Sequence, residues 1–216
     1  MKALKITANL QNGFATKFDW CPAIDGILAW SHQRRKLGID EFINTQHRND
    51  LQSVIDDLPL EKELCDGDWW YKASQPIFNS KDTHVTNIHR RFNSVEAEQY
   101  TNEKKKLDVT KGAYKNARIQ LKRHITRQVS WQVVGDKEII DEYLNDITHI
   151  GARTAAGFGL VLSWDISEGS EDIARFHRPL PVDFAEKEGI SGMVLEWGIR
   201  PPYRLTENKR LCVIND

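Results

Sequence analysis

Gly151-Ala-Arg-Thr-Ala-Ala-Gly-Phe-Gly159 sets three glycines around a single arginine, directly after a helical pattern and directly before a strand pattern. Glycine has no side chain to hold a ligand away, so such a loop can bring backbone amides close to an anion. Arg153 adds a planar, permanently charged fork suited to phosphate. Nucleotide-binding fingerprints need the reverse order, strand then glycines then helix, so this is neither a Walker loop nor a Rossmann loop. Spacing alone also fits a helix cap followed by a turn.

A second constellation is cationic. Lys111, Lys115, Arg118, Lys122, Arg123 and Arg127 fall within 17 positions with no acid among them, and His89-Arg90-Arg91 adds a smaller cluster. Contacts of this kind supply most sequence-independent nucleic-acid affinity and weaken with salt. If 117 to 127 is a strand, Arg118, Lys122 and His124 share one face while Arg123 and Arg127 take the other. The competing reading is a solvated basic surface. Trp69-Trp70-Tyr71 offers faces on which bases can stack, although core packing is the commoner use of tryptophan.

His89, His124 and His149 have the right chemistry for general acid–base cleavage of RNA, but spacing pairs none of them. Neither a metal-binding carboxylate cluster nor a nucleophile motif stands out. Cys21, Cys65 and Cys212 are scattered singly, which makes neither a metal knuckle nor a disulfide framework.

The chain has 216 residues, 40% hydrophobic and 28% charged, enough for one domain or a core with a large insertion. No apolar run approaches the roughly 18 residues of a spanning helix, and residues 1 to 13 alternate in polarity, unlike a signal peptide. A cytoplasmic, membrane-free protein is expected. The net charge of −1 is a cancellation: residues 36 to 68 hold nine acids against three bases, residues 83 to 131 eleven bases against four acids. An acidic part facing a protein and a basic part facing phosphate would produce that division.

Several elements must position these groups. Leu4, Ile6, Ala8 and Leu10 alternate with polar residues and predict a first strand over 2 to 10. Pro22 opens a helix with Ile24, Ile27, Leu28 and Trp30 on its apolar stripe. Short helices and loop are expected over 38 to 68. Asp68 to Tyr71 and Thr83 to Phe92 read as strands of one hairpin, and 94 to 116 as a surface insertion. Strands over 117 to 127 and 129 to 134 form a second pair. Asp136 then caps a helix carrying Ile139, Ile140, Tyr143, Leu144, Ile147 and Ile150, with Gly151 as its C-terminal cap. Leu160, Leu162, Trp164 and Ile166 make the last core strand. This β-α-β-β-α-β order is compatible with an α+β, ferredoxin-like domain, a fold that also underlies RNA recognition modules.

The glycine loop, ending in Gly-aromatic-Gly after an Ile-Gly-Ala-Arg run, resembles the loop with which RAMP superfamily proteins contact guide RNA. Within that superfamily the chain resembles the Csf-type, 5′-handle-capping subunit of type IV CRISPR effectors. Three segments carry this: Ile24-Asp-Gly-Ile-Leu-Ala-Trp30, His149 to Gly159, and Trp197-Gly-Ile-Arg-Pro-Pro-Tyr203 followed by Cys212. Thr154-Ala-Ala156 stands where many relatives are more basic.

The resemblance implies a ferredoxin-like (RRM-like) RAMP core over 1 to 170, inserted at about 38–68 and 94–116, with a C-terminal extension over 171 to 216 packed on it. It implies a non-catalytic subunit, without cofactor or metal, that binds the 5′ handle of a crRNA and caps the guide-coating backbone. The expected partners are that backbone subunit and the effector's large subunit, with target DNA contacted at most indirectly. Gly151, Arg153, Gly157, Phe158 and Gly159 would form the backbone-binding loop; Arg90, Arg91, Lys122, Arg123 and Arg127 would hold phosphates. The alternative is a metal-independent endoribonuclease that makes the handle.

Overall fold

A computed structural model describes residues 1–16, 21–48, 52–80, 82–91, 93, 95, 110 and 115–214. Strand β1 (Lys2–Leu10) lies between β7 (Gln128–Gly135) and β8 (Val161–Glu168), antiparallel to both. On the far side of β7, Ala73 bridges Val133 and Ile77 bridges Ser130, again antiparallel. The order across this central sheet is therefore residues 73–77, β7, β1, β8.

The period-two pattern decides which face is buried. Leu4, Ile6, Ala8 and Leu10 meet Val129, Trp131 and Val133 in the main core, closed by Ile24 and Leu28 of α1 (Ile24–Leu37) and Ile140 and Leu144 of α3 (Lys137–Leu144). The other face is polar: Asn9 donates to Ser163 Oγ at 2.9 Å and accepts from Gln128 at 2.9 Å. After α1, α2 (Ile39–His47) packs back on it.

A second, smaller core joins Leu180, Phe184, Ile199, Cys212 and Val213 to Trp70. It lies under the C-terminal sheet, order β10 (Met193–Gly198), β11 (Lys209–Ile214), β9 (Leu180–Pro181), and α5 (Val182–Lys187). Between them α4 (Glu171–Phe176) packs on β7. Successive residues of a strand face opposite ways. Trp70 on β4 (Asp68–Tyr71) accordingly fills the second core at 1% exposure while Tyr71 fills the first.

Several expectations need correction. β4 does not pair with β5 (Asp82–Arg90): it pairs with β3 (Lys62–Cys65) through Asp66-Gly67, both at positive φ. Asp-Gly suits the two-residue hairpin turn, which explains that pairing. β6 (Ala117–Ile125) and β7 are not a hairpin either, because Thr126-Arg127 lacks turn chemistry. They run on as one bent strand: β7 pairs with β1, and β6 with β2 (Phe14–Thr16) and β5. The third sheet is thus β2, β6, β5, an extension of the central ribbon.

The helix from Asp136 is shorter than its apolar spacing suggests. Asp136 does cap it, accepting from the amides of Glu138 and Ile139, but it ends at Leu144 with Asn145, not Gly151, as C-cap. Asp146 is drawn away to Arg35 and to Ser31, whose hydroxyl lies 2.8 Å from it, and Ile139 is largely exposed. In β8 a register shift at Asn9/Leu10 sets Val161 opposite Leu10, so Leu162 is 65% exposed while Trp164 and Ile166 stay on the core. The insertion expected over 94 to 116 lies outside the described residues, apart from 95, 110, 115 and 116.

Candidate nucleic-acid interface

The glycine segment is stitched to β2. Ala152 N donates to Ala15 O at 2.7 Å, Gly159 N to Gly13 O at 3.1 Å, and Ile150 N to Gly159 O at 2.9 Å. The three glycines serve different needs. A Cβ on Gly159 would stand 1.9 Å from Ile150 O and one on Gly151 2.5 Å from Ala15 O, so close backbone approach excludes any other residue there. Gly157 has open space around it and is needed for its φ of +84°. Between them Thr154–Ala156 forms a single 3₁₀ turn.

Arg153 also takes the left-handed conformation, with φ 59° and ψ 40°. For a non-glycine residue this costs on the order of 1–2 kcal/mol. Its side chain is exposed and has no hydrogen-bond or ion-pair partner among the described residues. An exposed arginine without a side-chain partner among the described residues does not hold the fold through its guanidinium.

Arg123 reaches the same loop from β6. Its guanidinium lies 5.6 Å from the Phe158 ring centroid and donates to Asn12 O at 3.0 Å. Lys122, pairing with Thr16 across the strand, faces the other side of β6, so the two adjacent cations bracket the strand. Loop, β2 and β6 bring together Gly151, Arg153, Gly157, Phe158, Gly159 and Arg123, with Lys122 alongside.

The remaining predicted cations are not gathered there. Arg127 lies in a shallow hollow with Lys5, Thr7 and Asp165 on the polar face of the central sheet. β5 pairs His84 with Arg123 and continues to Arg90 opposite Ala117 and to exposed Arg91. At roughly 3.3 Å per residue that end lies about 23 Å away. Arg118 stands exposed near it on β6 and Lys115 just before that strand; the side chain of Arg90 and all of Lys111 lie outside the described residues.

The histidines have separate settings. His124 is buried, stacked on Phe14 (centroids 5.3 Å apart) and edge-on to Phe78 at 4.7 Å. His89 is exposed opposite Arg118, and half-buried His149 lies 3.0 Å from Thr148 Oγ1, next to the glycine loop. Trp69-Trp70-Tyr71 offers no stacking platform. Trp70 and Tyr71 are buried, and Trp69 is flanked by Lys62 and Arg200 at 4.4 and 4.7 Å from its ring centroid. Among the described residues no group of three or more His, Cys, Asp and Glu could hold a metal ion.

One feature has no counterpart in a local sequence pattern. Asp25 on α1 is fully buried and accepts hydrogen bonds from Tyr203 Oη and Gly26 N, with the Arg178 guanidinium 3.7 Å away. Burial raises the Asp25 carboxyl above its ordinary range and pushes Tyr203 well up; the Cys21 thiol is held at about 11 for the same reason. Arg178 in turn donates to the carbonyls of Tyr71, Ala73 and Ile199, the last at 2.7 Å, tying the two cores together. The tail segment Trp197 to Tyr203 is therefore packing as well as surface. Arg200 is buried, donating to Asn208 Oδ1 at 2.8 Å.

Fold and site define a mixed α/β protein of antiparallel sheets with a cationic glycine loop at one sheet edge. The sequence matches the family described as CRISPR type IV associated protein Csf3 over residues 2–215. The chain belongs to that family. No curated protein matches it. Among solved structures, a chain of the cryo-EM structure of the Type III-B Cmr-beta bound to cognate target RNA is similar at TM-score 0.38 and 12% identity. That alignment covers 78% of this chain and 62% of the other. No helix among the described residues is long and apolar enough to cross a membrane.

Proposed function

We propose that this chain is a non-catalytic RNA-binding subunit of a type IV CRISPR effector, holding the 5′ handle of the crRNA and capping the guide-coating backbone. The observation that carries the reading is the convergence on one loop of the unpartnered, left-handed Arg153, the Phe158–Arg123 contact and three conformationally required glycines. Lys122, Arg90, Arg91 and Arg127 extend the grip over a wider surface, as a strand of RNA several nucleotides long requires. The backbone subunit, the large subunit and, indirectly, target DNA are the partners of this reading. The skeleton is a ferredoxin-like RAMP domain over 1 to 170 with an extension from 171. Strand order 73–77, β7, β1, β8, with β1 antiparallel to both neighbours, supports it.

Co-purification with guide RNA across a salt series tests the binding role. Replacing Arg153 and Arg123 together by Ala should weaken RNA retention and flatten the slope of log K against log salt by about 1.4, two single-strand contacts' worth. Retention equal to the parent at every salt concentration overturns the site. The second reading, a metal-independent endoribonuclease, draws on His149 beside the loop. Incubation with repeat RNA in EDTA decides between them, because a cut at the repeat base would replace the binding-only role.

A further inference from the structure

β10 is the outer strand of the C-terminal sheet, and no described residue pairs with its free edge. Ile199 N donates to Asn208 O at 2.9 Å, one step beyond the Gly198–Lys209 pair, which fixes the alternation of the ladder. Trp197 and Leu195 therefore bond toward β11, while the amides and carbonyls of Glu196 and Val194 turn outward. Met193 and Val194 are 57% and 54% exposed, and Leu211 of β11, on the same face as Val194, is 63% exposed.

An open strand edge is a template for another strand, and proteins ordinarily blunt it with charge, proline, a bulge or shortness. Four other edges follow that rule: β9 is two residues long and contains Pro181, β3 carries Lys62, β5 carries Asp82 and His84, and β8 has the register shift and Asp165. Met193-Val-Leu-Glu-Trp-Gly198 has no proline, lysine or arginine, and its register against β11 is unbroken. Its single charge, Glu196, lies 3.5 Å from Lys209 and keeps a side chain 66% exposed.

The charge around this edge selects the partner. Residues 182 to 198, α5 through β10, hold four acids and one lysine, a net of −3. Lys187 is bound to Asp66, and exposed Asp183 and Glu186 have no ion pair among the described residues. Pairing β10 with a second copy would set two such stretches side by side, which like-charge repulsion opposes. We infer that β10 is completed in the assembled effector by an extended, basic strand of another protein subunit. The backbone of that strand meets the outward groups of Val194 and Glu196; an apolar side chain lies beside Val194 and Leu211, and a lysine or arginine beside Glu196. This rests on the reading of the chain as an effector subunit.

The test compares amide hydrogen exchange in the chain alone with that in the effector assembled on guide RNA and purified through a tag on the large subunit. The Val194 and Glu196 amides should exchange freely in the chain alone and slow by about tenfold or more on assembly. A carbodiimide, which joins a carboxylate directly to an amine, should link Glu186 or Glu196 to a lysine of another subunit. Val194→Pro removes only an outward amide, so β10 should keep its pairing with β11 while the protection is lost and incorporation into the effector falls about tenfold. Val194→Lys, which blocks the edge and keeps every backbone group, should lower incorporation as well. Arg153→Ala should weaken RNA retention and leave the protection in place. Exchange at 193 to 196 as fast in the effector as in the free chain overturns the docking and spares the subunit role. Protection that vanishes when the RNA is digested, with no link to a protein lysine, gives the edge to RNA and overturns it too. So do dimers of the free chain that Val194→Pro dissolves, which give the edge to a second copy. If the chain does not assemble with the effector subunits at all, both readings fall.

Discussion

One antiparallel ribbon runs through two regions of this molecule and does different work in each. In the central half, β1 against β7, Val129, Trp131 and Val133 are fully buried under α1 and α3. In the outer half, β2 against β6, only Leu121 and His124 of β6 are buried, and the strand alternates instead with Arg118, Lys122 and Arg123. The bend at Thr126-Arg127 separates them. Residues that stabilise the fold and residues that present charge therefore lie on the same strand pair without sharing a neighbourhood, so their effects are expected to separate in experiment.

The largest effect should come from the central half. Trp131→Ala removes a buried ring whose Nε1 donates to Pro22 O at 2.9 Å, and we expect a loss of about 3–5 kcal/mol in denaturant unfolding. The RNA affinity of the remaining folded protein should be unchanged. A parallel loss of affinity would mean that the halves are coupled after all.

Gly159→Ala comes next, because the added methyl meets Ile150 O and φ is +73°. A cost of about 1–3 kcal/mol is expected, here with loss of RNA binding as the loop leaves β2. Arg153→Gly sharpens the comparison further: relief of the left-handed strain should raise stability by up to about 1 kcal/mol while RNA binding weakens and its salt slope falls by about 0.7. Stability and binding moving together in that variant would remove Arg153 from the interface.

The smallest effect concerns pH and the junction between the cores. Asp25 has a carboxyl pKa raised by burial, so the folded chain holds its proton more tightly than the unfolded chain. Its contribution is complete below the ordinary carboxylate range and is lost as pH rises through the folded value. Asp25→Asn, which still accepts from Tyr203, should flatten that decline in a series of unfolding curves. An unchanged pH profile would show that Arg178 keeps the carboxylate charged in the fold.

Local chemistry along the chain is enough to place β1, the Asp136 cap and the glycine loop, because alternation, a capping carboxylate and glycine spacing act within a few residues, whereas Pro22, expected in the first turn of α1, stands outside it before the N-cap Ala23. It is also enough for the basic character of β6. It misleads where the partner of a strand is at issue. Trp69-Trp70-Tyr71 looks like a stacking platform until two cores are seen to close on its opposite faces. Leu162 looks like core until a bulge passes that place to Val161.

For the site the division is the same. Arg153 and its glycines are visible as a loop of suitable composition, and membership of the type IV Csf3 family accords with the resemblance. The union of that loop with Gly13 and Ala15 depends on hydrogen bonds across more than a hundred residues of chain, and its union with Arg123 on a ring contact from a separate strand. The buried junction of Asp25, Arg178 and Tyr203 is less visible still, since its members come from three distant segments. Periodicity and turn chemistry are short-range properties carried by neighbouring residues. Pairing, enclosure and the burial of a charged group exist only once distant segments have closed around them.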